Sequence, residues 1–145
     1  MDVDIRAHKE QLRALLGDVH VIAVVGLSSN PDRPSNSVAE YLQRHGYTIV
    51  PVNPKETEVL GERAYPTLLD VPPDAGSDVV DVFRRAEHTP EVARQAVEFG
   101  AKVLWLQEGI VNQEAADIAT KGGLTVIMGV CIRHTRQIVM DEEDD

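Results

Sequence analysis

Five short apolar runs punctuate the chain at intervals: HVIAVV (20–25), TIVPV (48–52), DVVDVF (78–83), KVLWL (102–106) and LTVIM (124–128). They are β-branched and nearly continuous in apolarity, the pattern of parallel strands covered on both faces. Between them lie stripes at helical spacing. Val38, Leu42 and His45 form one, Val92, Ala93, Ala96, Val97 and Gly100 a second, and Ala115, Ile118 and Ala119 a third. Ahead of the first run, Ile5, Leu12, Leu15 and Leu16 give a helix a face to lay on the sheet. Such alternation predicts an α/β fold: a three-layer, Rossmann-like, doubly wound parallel sheet of five strands in the order 3-2-1-4-5. A ligand would then bind outside the carboxyl ends of the strands, at the switch point between the first and fourth.

Turn residues agree with these boundaries. Gly46, Gly100 and the Gly122-Gly123 pair fall where helices should end, and Thr89-Pro90 where one should begin. Residues 53–77 form one long irregular connection with a single helical turn expected near 67–70. The 145 residues suit one domain, taken as 1–140, followed by DEEDD at 141–145 as a solvated, disordered acidic tail. That tail supplies part of the net charge of −10, a balance that argues against a general nucleic-acid binder. No apolar run approaches the roughly 20 residues needed to cross a bilayer. A single cysteine, Cys131, leaves no internal disulfide and no cysteine-rich zinc site. A cytoplasmic protein without membrane or nucleic-acid partners is expected.

The unusual polar residues gather after strand ends. The first run opens into Gly26, Leu27, Ser28 and Ser29, and the next helix starts near Ser35 and Asn36. Gly26 allows a tight turn, while hydroxyls and amides at a helix N-terminus suit an anion. Asn53, Pro54 and Lys55 follow the second run, where a dinucleotide-binding domain would carry a carboxylate for ribose hydroxyls; a cation suits phosphate better. After the third run, Arg84 and Arg85 could bind phosphate while Phe83 contacts an adenine or an aliphatic arm. Gln107, Glu108 and Gly109 follow the fourth run, and Gly129, Val130 and Cys131 the fifth. Arg33, inside the first loop, is a further cation. No set of nucleophile, base and orienting group is visible; His134 stands without a positioned partner.

Together these segments resemble the small, stand-alone CoA-binding proteins, whose fold is similar to the N-terminal domain of the succinyl-CoA synthetase α-subunit and of NDP-forming acyl-CoA synthetases. The resemblance runs from about residue 21 to residue 131. It rests on VVGLSSNPDRPSNS, VNPKETEVLGERAYPTL, DVVDVFRRAEHTPEV, AKVLWLQEGIVNQEAA and the final Cys131. It implies that Gly26, Leu27, Ser28 and Ser29 hold the phosphates of coenzyme A and that Asn53, Pro54 and Lys55 meet the nucleotide end. Phe83 and Arg84 would wall the cleft, and the turn 107–109 would receive the pantetheine arm. Where the family often carries Asp-Arg-Cys or Asn-Arg-Cys, this chain reads Gly129-Val130-Cys131. The expected function is therefore non-catalytic binding of CoA or a short acyl-CoA, as a carrier or regulatory module. An acyl-CoA enzyme or a second copy of the chain would be its protein partner. The competing readings are an NADP-binding, oxidoreductase-like protein with Lys55 at the 2′-phosphate, and a ligand-free interaction module.

Overall fold

The computed structural model describes residues 4–76 and 78–142. Five parallel strands form the main sheet: β1 (Val21–Val25), β2 (Thr48–Val52), β5 (Val79–Val82), β6 (Val103–Leu106) and β7 (Thr125–Met128). A hairpin of β3 (Glu58–Val59) and β4 (Glu62–Arg63) interrupts the connection after β2. The helices are α1 (Lys9–Asp18), α2 (Pro34–Arg44), α3 (Thr89–Phe99), α4 (Gln113–Lys121) and α5 (Ile132–Val139).

The period of two along each strand divides the core. Ile22, Val24, Ile49, Val79, Trp105 and Ile127 face one way, onto Leu12 and Leu16 of α1, Val38 and Leu42 of α2, and Ile132 and Val139 of α5. Ala23, Val25, Val50, Val80, Val82 and Leu104 face the other, onto the apolar stripes of α3 and α4. Each face is thus sealed by helices, which is why the strands carry apolar residues at successive positions.

The main sheet runs β2-β1-β5-β6-β7. Beyond β2, Tyr65 makes one parallel bridge to Val52 and occupies the place of the third strand in a 3-2-1-4-5 order. The run 78–83, third along the sequence, therefore takes the fourth place beside β1; over full strands alone the order is 2-1-3-4-5. The switch point accordingly lies between β1 and β5, not beside the 102–106 run. The cause is local. Residues 53–76 hold the small hairpin, a 3₁₀ turn at Leu68–Asp70 and another at Pro73–Ala75, and among the described residues of this stretch only Tyr65 bridges to the sheet edge.

The expected turn near 67–70 is present, with Thr67 and Asp70 forming a reciprocal capping box. Gly100 ends α3 in the left-handed conformation at φ 89°. Thr89 is not the cap expected of it. It lies within α3, His88 precedes it as cap, and its hydroxyl donates to the Ala86 carbonyl. Helix α5 has no counterpart among the expected stripes, although Ile132, Thr135 and Val139 share its buried face.

The acidic tail also differs from expectation over its first two residues. Asp141 accepts from Lys9 Nζ at 2.7 Å. Glu142 pairs with Arg136 at 2.7 Å, lies 3.2 Å from His45 Nε2, and accepts from the Tyr41 hydroxyl. Burial and the Glu142 contact push the Tyr41 hydroxyl up to about 12. A solvated run is thus interrupted by a specific clasp onto α1, α2 and α5; residues 143–145 lie outside the described residues. No helix among the described residues is long and apolar enough to cross a membrane.

Candidate functional site

The site begins where β1 and β5 end side by side. Val25 and Val82 are in register, the Phe83 N–H donates to the Val25 carbonyl at 2.8 Å, and the Gly26 N–H donates to the Val52 carbonyl at 2.8 Å. Gly26 has φ +88°, and a Cβ built on it would stand 2.5 Å from the Phe83 carbonyl oxygen. Only glycine fits this close approach. The Gly26–Phe83 contact forms a low ridge with an opening on each side.

On the α2 side lies a pocket of about 300 Å³ lined by Gly26, Ser28, Arg33, Pro34, Ser35 and Phe83. The loop around it is held by side chains, which explains how it dispenses with further glycines. Ser35 Oγ accepts from the Ser28 N–H at 3.1 Å, and Asn36 Nδ2 donates to the Ser28 carbonyl at 2.8 Å. Asn53 Nδ2 reaches across from the end of β2 to the Leu27 carbonyl at 3.0 Å. Ser35 and Asn36 are buried and act as pins rather than as open donors. Helix α2 starts with Pro34, carries no acidic residue in its first turn and has no side-chain cap. Its positive end is left facing this pocket.

On the α3 side a larger cleft of about 740 Å³ contains Asn53, Pro54, Lys55, Phe83 and Arg84 and reaches the first turns of α3 and α4 at Glu91 and Glu114. Phe83 is half-buried, packing below against the core while lining both openings. Arg33, Lys55 and Arg84 are exposed around the ridge, and none forms an ion pair among the described residues. Three such cations and an uncapped helix start offer positive charge around the ridge, with Glu87 and Glu114 among the residues lining the larger cleft.

Other expected residues stand elsewhere. Gln107 is buried, and its side-chain oxygen accepts from the Ile132 N–H at 3.1 Å, capping α5 from the end of β6. Gln107, Glu108 and Gly109 line neither opening; Gln107 is turned toward the start of α5, a helix unseen in the sequence pattern, while Glu108 and Gly109 are exposed. Arg85 immediately precedes the short 3₁₀ turn Ala86–His88, makes no side-chain cap to it, and also lines neither opening. Cys131 is half-buried as the cap residue of α5, and His134 is exposed on that helix; neither reaches the site.

Two carboxyl groups near the site carry no signal in the sequence pattern. Glu56 Oε2 accepts from the Ser29 N–H at 2.8 Å, so this loop amide already holds an anion. Asp81 sits mid-strand in β5, in register with Val24 and Trp105 and fully buried. Neither of its oxygens has a hydrogen-bond partner among the described residues. Burial pushes its carboxyl well above the ordinary range. It lies two residues before Phe83, which follows the end of β5.

A family model described as "CoA binding domain" matches residues 20–136. The uncharacterized protein YneT of Bacillus subtilis is 44% identical over 125 residues, covering 86% of this chain and 91% of that protein. A solved structure of a hypothetical protein from Pyrococcus horikoshii is 39% identical with a TM-score of 0.87, covering 91% of this chain and 92% of the other. An ADP-forming acetate–CoA ligase of Archaeoglobus fulgidus is 25% identical over 120 residues, 77% of this chain but 18% of the ligase. The likeness to the ligase thus concerns one small part of a much longer enzyme. With the matched region spanning every strand of the main sheet and both openings at the ridge, the chain belongs to the CoA-binding domain family.

Proposed function

We propose that this protein binds coenzyme A, or a short acyl-CoA, across the Gly26–Phe83 ridge and acts as a carrier or regulatory module with no reaction of its own. The observation that carries this reading is the set of three cations, Arg33, Lys55 and Arg84, without ion pairs among the described residues, around a ridge flanked by the uncapped start of α2. CoA presents a diphosphate and a separate 3′-phosphate, and several spaced cations match that distribution better than they match a single phosphate group. The diphosphate would lie near Ser28 and the α2 start, and each charge there gains about 0.3–1 kcal/mol from the helix dipole. Lys55 and Arg84 would take the remaining phosphate charge. The half-buried Phe83 ring offers a flat apolar surface to the adenine or the pantetheine arm. Because Gln107 is engaged with α5, the turn 107–109 is not part of this proposed site.

A thermal-shift panel separates the candidate ligands. CoA or acetyl-CoA at about 100 times its dissociation constant should add about 2.7 kcal/mol of stability. At about 2–4 °C per kcal/mol for a chain near this size, that is a rise of roughly 5–10 °C. NAD and NADP should give no comparable rise. A rise with NADP alone would favour the oxidoreductase-like reading, and no rise with any of them would favour an interaction module.

A further inference from the structure

The geometry points to Glu56 as an internal substitute for the ligand's phosphate: its carboxylate occupies the Ser29 amide in the unliganded protein and must be displaced before a diphosphate can take that position. This inference rests on the CoA-binding reading above and adds to it a residue that sets affinity.

The loop amides differ in what satisfies them. The Ser28 N–H donates to Ser35 Oγ, the Asn30 N–H to Ser28 Oγ, and the Asp32 N–H to Asn30 Oδ1, all neutral oxygens from the loop itself or the start of α2. Ser29 alone among these is held by a charged group from another segment, the half-buried Glu56 in the loop after β2. An amide donating to a carboxylate at 2.8 Å is a site already accommodating negative charge. Glu56 also follows Lys55 directly, so its charge offsets part of the field that the neighbouring cations offer an incoming phosphate. Removing the carboxylate frees the amide and strengthens that field; both effects favour the ligand.

A purely structural fastening of the two loops makes the opposite prediction. If Glu56 only held the site in shape, its removal would loosen the loops and weaken binding. The sign of the change therefore decides between the roles.

The test is calorimetric titration of CoA, and separately of inorganic pyrophosphate, into the wild-type protein, Glu56→Gln and Glu56→Ala. Glu56→Gln keeps shape and an acceptor oxygen, so a folding defect in the alanine variant would not leave the question open. Dissociation constants for CoA should tighten about three- to tenfold in Glu56→Gln and about tenfold or more in Glu56→Ala, with the same order for pyrophosphate. Unchanged or weaker CoA binding in both variants, with the wild type binding CoA, overturns the inference and leaves the CoA reading intact. If CoA binds none of the three proteins, the CoA reading fails. The pyrophosphate titration then decides alone: tightening in both variants supports displacement, and any other result overturns it.

Discussion

Replacing Gly26 by alanine is expected to destabilise the protein by about 2–5 kcal/mol and to abolish ligand binding at the ridge. Two costs combine. The residue sits at φ +88°, where an L side chain costs roughly 1–2 kcal/mol. Its new Cβ would also meet the Phe83 carbonyl oxygen at 2.5 Å and the carbonyl carbon at 3.1 Å. Both are backbone atoms, and the neighbouring Phe83 N–H is committed to the Val25 carbonyl. Relief therefore requires the ends of β1 and β5 to separate at the point where the ligand should lie. Gly46→Ala is the matched control, because Gly46 has φ +96° and a methyl group added there would meet nothing within 4 Å. Urea unfolding of both variants isolates the close approach. Equal losses in the two would show that backbone conformation alone, and not contact between the strand ends, demands glycine at position 26.

The second large effect concerns Asp81. In the unfolded chain its carboxyl ionises near pH 3.9, whereas in the folded protein burial holds the proton on well above that value. As the pH rises past about 4, the unfolded state binds fewer protons than the folded state, and stability falls until the pH passes the raised folded-state value. Asp81→Asn keeps the shape and cannot ionise. It should match the wild type near pH 4 and then gain on it as the pH rises, at a slope of at most about 1.4 kcal/mol per pH unit, until the pH passes the raised folded-state value. Asp78 works in the opposite direction. Burial raises its carboxyl, but the His20 and Val21 amides and Lys102 outweigh that and bring it below the ordinary value. Its contribution is present above about pH 4 and disappears in acid. Comparing variant with wild type at each pH cancels this term. Parallel unfolding profiles for Asp81→Asn and wild type between pH 4 and 8 would show that the carboxyl ionises freely in the fold.

The sheet was legible because five runs of continuous apolarity have few other uses in a chain with helical stripes between them. The position of the run 78–83 was less so. Apolar pattern states that a strand is buried on both faces but not which neighbours it has, and the hairpin that redirects the chain turns through Leu60 and Gly61 at φ 53° and 80°. Leucine is an uncommon residue for such a turn, which usually carries Asn-Gly or Asp-Gly, so no local signal marked it. That Gly26, Ser28, Arg33, Ser35, Lys55, Phe83 and Arg84 gather around the two openings was legible, because residues after strand ends must lie at one edge of a parallel sheet. The place of Gln107 was not, because its role depends on α5, a helix with few apolar residues to mark it. Glu56 and Asp81 escaped for a shared reason. The significance of each lies in what it contacts, one in an amide of a distant loop and the other in the lack of any hydrogen-bond partner among the described residues. Neither property is written in the neighbouring sequence.

The most direct test of the account is a calorimetric titration of CoA into the wild-type protein and into a Lys55→Glu, Arg84→Glu double variant, at low and at physiological salt. The account predicts saturable binding to the wild type that weakens as salt rises, and a loss of at least about tenfold in the variant, since phosphate charge is held by exposed cations. Wild-type heats no larger than those of the variant, at either salt concentration, would contradict it.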